Sequence, residues 1–289
     1  MVITQEQEQE RKHYIGASEI AAIAGLSPYE NSASIYAMKV LGATKRKTTA
    51  MQQGLDYEPF LIQFGSSQIE KRLGERVNAV EENPEFSLDE ENEPPIVCHL
   101  DGLVHLGDGS RVVLEAKTTR MMEAYGKPWT DEIPPSVLCQ VTAQMALSET
   151  TKAFVVVMTR EAKVNMYEVD FDKDIWKELI DRCRKFWFEN VMQKVKPDGS
   201  VSLELMERID RHDEDCALEL EGESAQQFVD AITAWEQAKV EANQTKKVVE
   251  AAKADLLEQM RNYSIVRAGK ATAHFPSKGR KVLKVSWEV

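Results

Sequence analysis

The sequence predicts an α/β domain with a mixed central sheet flanked by helices, followed by an α-rich extension that ends in a small β tail. Three observations predict it. Helix-like and strand-like segments alternate between about residues 17 and 193, the order that buries a sheet between layers of helices. Hydrophobic residues make up 43% of the 289, enough for a sizeable core. Past Pro197 the composition turns rich in Ala, Glu, Lys and Gln, which favours a long helix. A boundary near 198–202 follows, dividing the chain into 1–200 and 201–289.

The elements can be read in order. Residues 17–25 (AlaSerGluIleAlaAlaIleAlaGly) read as a short helix closed by Gly25, and a second helix runs from about Ser32 to Leu41. A longer one extends from Thr49 to Leu73 and is stopped by Gly74. The acidic, Pro-bearing stretch 81–95 reads as a loop. Two strands are expected at 96–106 and 111–118, joined by the turn signal GlyAspGlySer. A loop at 121–135 leads to a helix at 136–147. The apolar, β-branched run 152–158 reads as a buried strand and 163–169 as its alternating neighbour. A helix spans about 173–193. In the extension, 225–261 is a strong helix with a partial apolar stripe through Trp235, Val240, Val248, Leu256 and Leu257, and 263–289 reads as a β-hairpin turning at Gly269 and Gly279.

Composition excludes some functions. No apolar run approaches the ~18–20 residues that cross a bilayer, and the polar N-terminus lacks the apolar core of a signal peptide, so a cytoplasmic protein without membrane partners is expected. Cys98, Cys139, Cys183 and Cys216 form no CxxC pair, which argues against a zinc ribbon, a disulfide scaffold and an iron–sulfur centre. The net charge of −12 speaks against nucleic acid as a partner. Charge acts locally, however. Residues 11–47 hold six Lys/Arg against two Glu, and 261–289 hold seven against one. Two basic stretches therefore survive in an acidic chain.

The informative segment is Asp101, thirteen residues, then Glu115-Ala116-Lys117. On a strand Glu115 and Lys117 share a face while Leu114 and Ala116 point to the other. Pairing through the turn brings Asp101 beside Glu115, so two carboxylates and an ammonium share one patch. Carboxylate oxygens are ligands that Mg²⁺ prefers. A bound cation neutralises a phosphodiester and activates water, and a neighbouring lysine offsets charge in the transition state. An ordinary cross-strand salt bridge would use the same residues. Against that bland reading, a carboxylate inside an apolar strand is costly without a partner. Glu58 falls on the long helix, and Gln140 and Gln144 share a face of the 136–147 helix.

Five ordered blocks carry a resemblance. They are ArgLysHisTyrIleGlyAlaSerGluIleAlaAlaIleAlaGlyLeuSerPro (11–28), Gly54-x-x-x-Glu58-Pro59, HisLeuAspGly (99–102), LeuGluAlaLys (114–117) and ProSerValLeuCysGlnValThrAlaGlnMet (135–145). Over about 11–195 the chain resembles the PD-(D/E)XK nucleases of the YqaJ and lambda-exonuclease type, viral recombination nucleases with a restriction-endonuclease-like core. The resemblance implies that Asp101, Glu115 and the Ala116 carbonyl hold Mg²⁺, with Mn²⁺ substituting. It makes Lys117 the residue that positions the attacking water. Glu58 becomes an indirect or second-metal ligand, and Gln140 a hydrogen-bonding partner near the nucleophile.

Arg11 and Ser18 match residues that bind a 5′-phosphate in the exonuclease members, and His99 stands where the lambda type carries serine. That departure puts strict 5′-phosphate dependence in question. The plain alternatives are a surface arginine and a helix N-cap. The resemblance further implies 5′→3′ degradation of linear double-stranded DNA, a homo-oligomer of trimeric form and a single-strand annealing partner. Two other functions are weighed: an endonuclease with the same site, and a catalytically silent DNA-binding or assembly protein. Filled positions at Glu58, Asp101, Glu115, Lys117 and Gln140 argue against the silent one. For the extension, packing or self-association is weighed against a DNA clamp using Lys270, Lys278, Arg280, Lys281 and Lys284.

Overall fold

The computed structural model describes residues 10–45, 48–119, 123–124, 127–128, 133–159, 162–209, 218–276 and 282–287. The chain divides into two compact units, Met1–Arg211 and His212–Val289.

The first unit begins with a 3₁₀ turn at Arg11–His13, strand β1 (Ile15–Gly16), and a second 3₁₀ turn at Ala17–Glu19 that runs into α1 (Ile20–Ile23). Helix α2 (Ser32–Val40) is capped by Asn31, whose side chain accepts the Ser34 N–H. Helix α3 (Thr49–Leu73) starts at a Thr48 cap and ends at Gly74, whose φ of 68° fits the left-handed stop that glycine provides. Next come β2 (Val77–Glu82), β3 (Glu85–Leu88), β4 (Ile96–His99), β5 (Gly102–Leu106) and β6 (Arg111–Thr119). The two-residue strands β7 (Glu123–Ala124) and β8 (Lys127–Pro128) pair with each other. Helix α4 (Pro135–Leu147), strands β9 (Lys152–Thr159) and β10 (Val164–Asp170), helix α5 (Lys173–Lys185) with a π-helical continuation at Phe186–Val191, and α6 (Leu203–Met206) complete the unit.

Two sheets organise it. The larger has the order β10-β9-β6-β5-β2, with β6 and β9 parallel and the other neighbours antiparallel. The smaller has the order β1-β4-β3. Side-chain alternation along β6 sends Val112 and Leu114 into one core, with Leu61, Ile62 and Ile69 of α3. It sends Val113 into another, with Val137, Val141 and Met145 of α4. The large sheet is therefore the middle of three layers. Helix α3 lies close on it at Gly65, where a Cβ would stand 2.7 Å from Leu114 Cδ1 and 2.9 Å from Val156 Cγ2.

Two expectations need correction. The stretch 96–106 is not one strand. It breaks at Leu100–Asp101, so that β4 belongs to the small sheet and β5 to the large one. The acidic stretch 81–95 is not simply a loop, since it holds the end of β2 and all of β3. There Phe86 and Leu88 pack on the core while Glu85 and Ser87 face outward. Most of the 121–135 loop lies outside the described residues. No helix among the described residues is long and apolar enough to cross a membrane.

In the second unit, α7 (Gly222–Met260) presents Phe228, Trp235, Val240 and Val248 to solvent and buries Met260. Strands β11 (Ile265–Ala268), β12 (Ala271–His274) and β13 (Lys284–Trp287) form an antiparallel sheet. The expected turn at Gly269 is present, with φ of 57°. Gly279, Lys278, Arg280 and Lys281 lie outside the described residues.

Candidate active site

The site is built where two strands part. Strand β5 pairs with β6 from His105↔Arg111 to Gly102↔Leu114 and no further. Among the described residues, strand β6 continues to Thr119 beside β9 with no strand paired to its other edge past Leu114. Asp101 occupies the next register position, opposite Glu115, but the chain has already bent toward the small sheet. Its carboxylate takes the place of the missing ladder bond: the Ala116 N–H donates to Asp101 Oδ2 at 2.7 Å. In a strand the N–H and C=O of one residue point to the same side, so the Ala116 carbonyl also faces this edge.

Glu115 and Lys117 project toward α4. Glu115 is only 1% exposed, and both its oxygens are occupied. Oε1 accepts from Lys117 Nζ and, at 2.7 Å, from Gln140 Nε2. Oε2 accepts from Gln144 Nε2 at 2.6 Å. Lys117 also donates to Gln140 Oε1 at 3.1 Å. Gln140 and Gln144 lie one turn apart on α4, which sets both amides over the same carboxylate.

The electrostatics separate the roles. Burial raises the Asp101 carboxyl and the Glu115 carboxylate raises it further; Lys117 and the Ala116 N–H oppose this only partly, leaving it pushed up to about 8. For Lys117, burial lowers the pKa, but Glu115, Asp101 and Glu58 outweigh it and hold the ammonium above its usual value. Lys117 is thus a fixed cation and donor rather than a base. Glu58, half-buried on α3, is near enough to raise both groups.

The donor set fits a divalent cation. Asp101, Glu115 and the Ala116 carbonyl offer oxygen only, which suits Mg²⁺ or Mn²⁺ and not a thiolate- or imidazole-seeking metal. The repulsion that raises Asp101 is what a cation would relieve. Among the described residues no three His, Cys, Asp or Glu side chains gather into a metal cluster. The set is therefore two carboxylates and a carbonyl, with Glu58 close by and outside any such cluster.

The other expected residues fall on the small-sheet side. Ser18 is exposed on the 3₁₀ turn that follows β1, and β1 runs parallel to β4. His99 ends β4, two residues before Asp101, with Nε2 3.6 Å from Glu85 Oε2. Arg11 is half-buried, and its guanidinium lies against Gly16. Among the described residues no hydrogen bond or ion pair joins Arg11, Ser18 and His99 directly; they share a flank. Beyond Lys117 a groove of about 1090 Å³ opens, lined by Thr118, Thr119, Thr159, Tyr57, Lys45 and Arg208 among others.

Sequence reasoning noted Gln144 but gave it no role. It is fully buried, and besides Glu115 its Nε2 reaches the His99 carbonyl at 3.4 Å. The signal was an amide in the middle of an otherwise apolar stripe. The cysteines are as bland as expected: Cys98, Cys139 and Cys183 are free and buried, and burial pushes the Cys98 and Cys183 thiols up to about 12. Cys216 lies outside the described residues.

The sequence model of the YqaJ-like viral recombinase domain matches residues 7–152. Among solved structures, an alkaline exonuclease (LHK-Exo) from Laribacter hongkongensis is 19% identical with a TM-score of 0.47, over 66% of this chain and 94% of its own. A phage related exonuclease from Haemophilus somnus 129PT is 11% identical with a TM-score of 0.43, over 63% of this chain and 96% of its own. No curated protein sequence matches the chain.

Proposed function

The chain belongs to the YqaJ-like viral recombinase domain family and has a PD-(D/E)XK core, and on that premise we propose that it is a Mg²⁺-dependent 5′→3′ exonuclease. It degrades one strand of linear double-stranded DNA and leaves a 3′ single strand for recombination by annealing. The observation that carries this reading is the edge of β6 that β5 leaves at Leu114, where Asp101, Glu115 and the Ala116 carbonyl converge beside the Lys117 ammonium.

Each residue then has a task. Asp101, Glu115 and the Ala116 carbonyl would hold the cation, Mn²⁺ serving in place of Mg²⁺. Bound there, the cation would neutralise the scissile phosphate and make a water more acidic. Lys117, kept protonated by its carboxylate neighbours, holds the attacking oxygen and offsets charge that grows in the transition state, a contribution of about 10²–10³ in rate. Gln140 fixes Lys117 and Glu115 together, and Gln144 fixes the second Glu115 oxygen. Glu58 acts from α3 as an indirect or second-cation ligand.

Arg11, Ser18 and His99 receive the 5′-phosphate. Arginine suits it as a bidentate partner. The groove beyond Lys117 gives a displaced strand room to pass. Processive action would come from a homo-oligomer, a trimer enclosing the duplex, with a single-strand annealing protein taking the product. A second reading, an endonuclease with the same chemistry, draws support from His99, since its neighbour Glu85 places a carboxylate where a phosphate would have to approach.

The test compares linear duplex bearing 5′-phosphates with the same DNA as a closed circle, in Mg²⁺, for wild type and Lys117→Ala. Digestion of the linear form alone, lost in the variant, is the expected result. Cutting of the circle establishes the endonuclease. Inactivity on both, in Mg²⁺ and Mn²⁺, leaves a silent DNA-binding or assembly protein.

A further inference from the structure

Behind the segment 11–19 lies a buried ion pair that the chemistry above does not use. The Lys39 ammonium stands 2.7 Å from Glu19 Oε2 and donates to the Arg11 carbonyl at 2.6 Å. The same Glu19 oxygen accepts the Gly16 N–H at 2.9 Å. Lys39 is 8% and Glu19 5% exposed. One ammonium on α2 thus ties both ends of the segment to a helix outside it. Such a pair is a poor source of stability, because an apolar pair of similar volume does as well or better. Its arrangement therefore points to a job other than stability.

That job concerns Arg11. Its Nη2 lies 3.3 Å, and Glu19 Oε2 lies 3.6 Å, from the point a Cβ on Gly16 would occupy. The guanidinium and the carboxylate are neighbours across the face of Gly16, yet they form no ion pair. Among the described residues the Arg11 guanidinium has no carboxylate partner at all. Glu19 is engaged by Lys39 instead.

We propose that Lys39 is a positioning residue that occupies Glu19 and so leaves the Arg11 guanidinium free for a phosphate; this rests on the reading of Arg11 as a phosphate ligand. Without the Lys39 charge, Glu19 is a buried carboxylate left with the Gly16 N–H, a costly state. Arg11 is the cation already beside it. The side chain turns inward to pair, and an incoming phosphate competes with Glu19 for one guanidinium. Gly16 belongs to the same device, since a side chain there would meet both groups.

The experiment measures binding, in EDTA, of two duplex oligonucleotides that differ only in a 5′-phosphate or 5′-hydroxyl at one end. Fluorescence anisotropy reads the preference, and thermal melting checks each variant's fold. Lys39→Gln keeps a donor for the Arg11 carbonyl and removes the charge. It is expected to lose about tenfold in phosphate preference, the worth of one charge-assisted hydrogen bond. Glu19→Gln combined with Lys39→Gln is expected to restore it, because no carboxylate remains to capture Arg11. A folded Lys39→Gln that keeps its preference, or a folded double variant that does not regain it, overturns the proposal. Should Lys39→Gln not fold, Glu19→Gln and the double variant carry the test, and loss of preference in either overturns it. Arg11→Ala separates the premise: if that variant keeps the preference, Arg11 is no phosphate ligand and the reading beneath the proposal has failed.

Discussion

Five side chains on β6, its flank and α4 are fixed by hydrogen bonds, whereas Glu58 on α3 has none among the described residues. Asp101 is tied to the Ala116 N–H, and Glu115, Lys117, Gln140 and Gln144 form one connected set. Glu58 lies in the part of α3 that precedes the first buried residue, Leu61. Pro59 follows it directly and, lacking an N–H, leaves the Leu55 carbonyl without its helical donor. One side is fixed by its own hydrogen bonds; among the described residues the other has none. Under the proposed function, the difference separates residues that make the chemistry possible from one that tunes it.

The largest expected effect comes from the preset side. Lys117→Ala should lower the single-turnover cleavage rate by about 10²–10³-fold while DNA binding persists, because its donor acts on charge that develops in the transition state. A near-normal rate would mean that the site lies elsewhere. Glu58→Gln should cost less, about tenfold, and the loss should shrink at high Mg²⁺, since this residue assists an ion that others hold. A Glu58 variant as impaired as Lys117→Ala would erase the distinction between the two sides.

The third prediction concerns pH in the absence of divalent cations. Burial and the Glu115 carboxylate push Asp101 up to about 8 in the folded chain from a usual 3.8. Between these values the folded state binds the extra proton, so stability falls as pH rises through the window and the full penalty is reached above about 8. Melting in EDTA from pH 5 to 8.5 should show this decline, and Asp101→Asn should flatten it. Mg²⁺ should offset it at the alkaline end, because a cation binds the ionised carboxylate. A melting temperature indifferent to pH in the wild type would remove the strain assigned to this carboxylate pair. Smallest of all, Gly65→Ala should destabilise by roughly 1–2 kcal/mol. Overpacking against Leu114 and Val156 costs about 1–3 kcal/mol, and improved helix propensity returns up to about 1 kcal/mol. Thermal melting measures the net.

Local periodicity made much of this visible in the sequence. Alternation along β6 placed Glu115 and Lys117 together, and the apolar run of β9 announced a buried strand. The glycine stop at Gly74 ended α3 at Leu73, as observed, and the expected start at Thr49 also holds. What stayed hidden depended on partners far away in the chain. HisLeuAspGly continues the strand pattern without interruption, yet the chain changes sheets there, because β4 finds β1 and β3 while β5 finds β2 and β6. Strand β3 was hidden by the acids around it; its own Glu85 faces outward and says nothing of Phe86 and Leu88 beneath. Gln144 stands out in the sequence only as an amide in an apolar stripe; the approach of Glu115 from the sheet gives it work.

The close seat of α3 at Gly65 has a mechanical consequence. Glu58 lies seven residues up the helix, ~10 Å at the rise of an α-helix, and the stretch between is exposed or half-buried up to Leu61. Leu61 and Ile62, buried on the same sheet, serve as the fulcrum, and the turn before them is an arm of ~4.5 Å. A tilt of about 12° swings Glu58 by ~1 Å, several times the ~0.2 Å tolerance of a metal–oxygen bond. Under the proposed role of Glu58, whatever grips the far end of α3 would thereby set the reach of its carboxylate, so that a contact made well away from the scissile bond would be delivered to it as leverage.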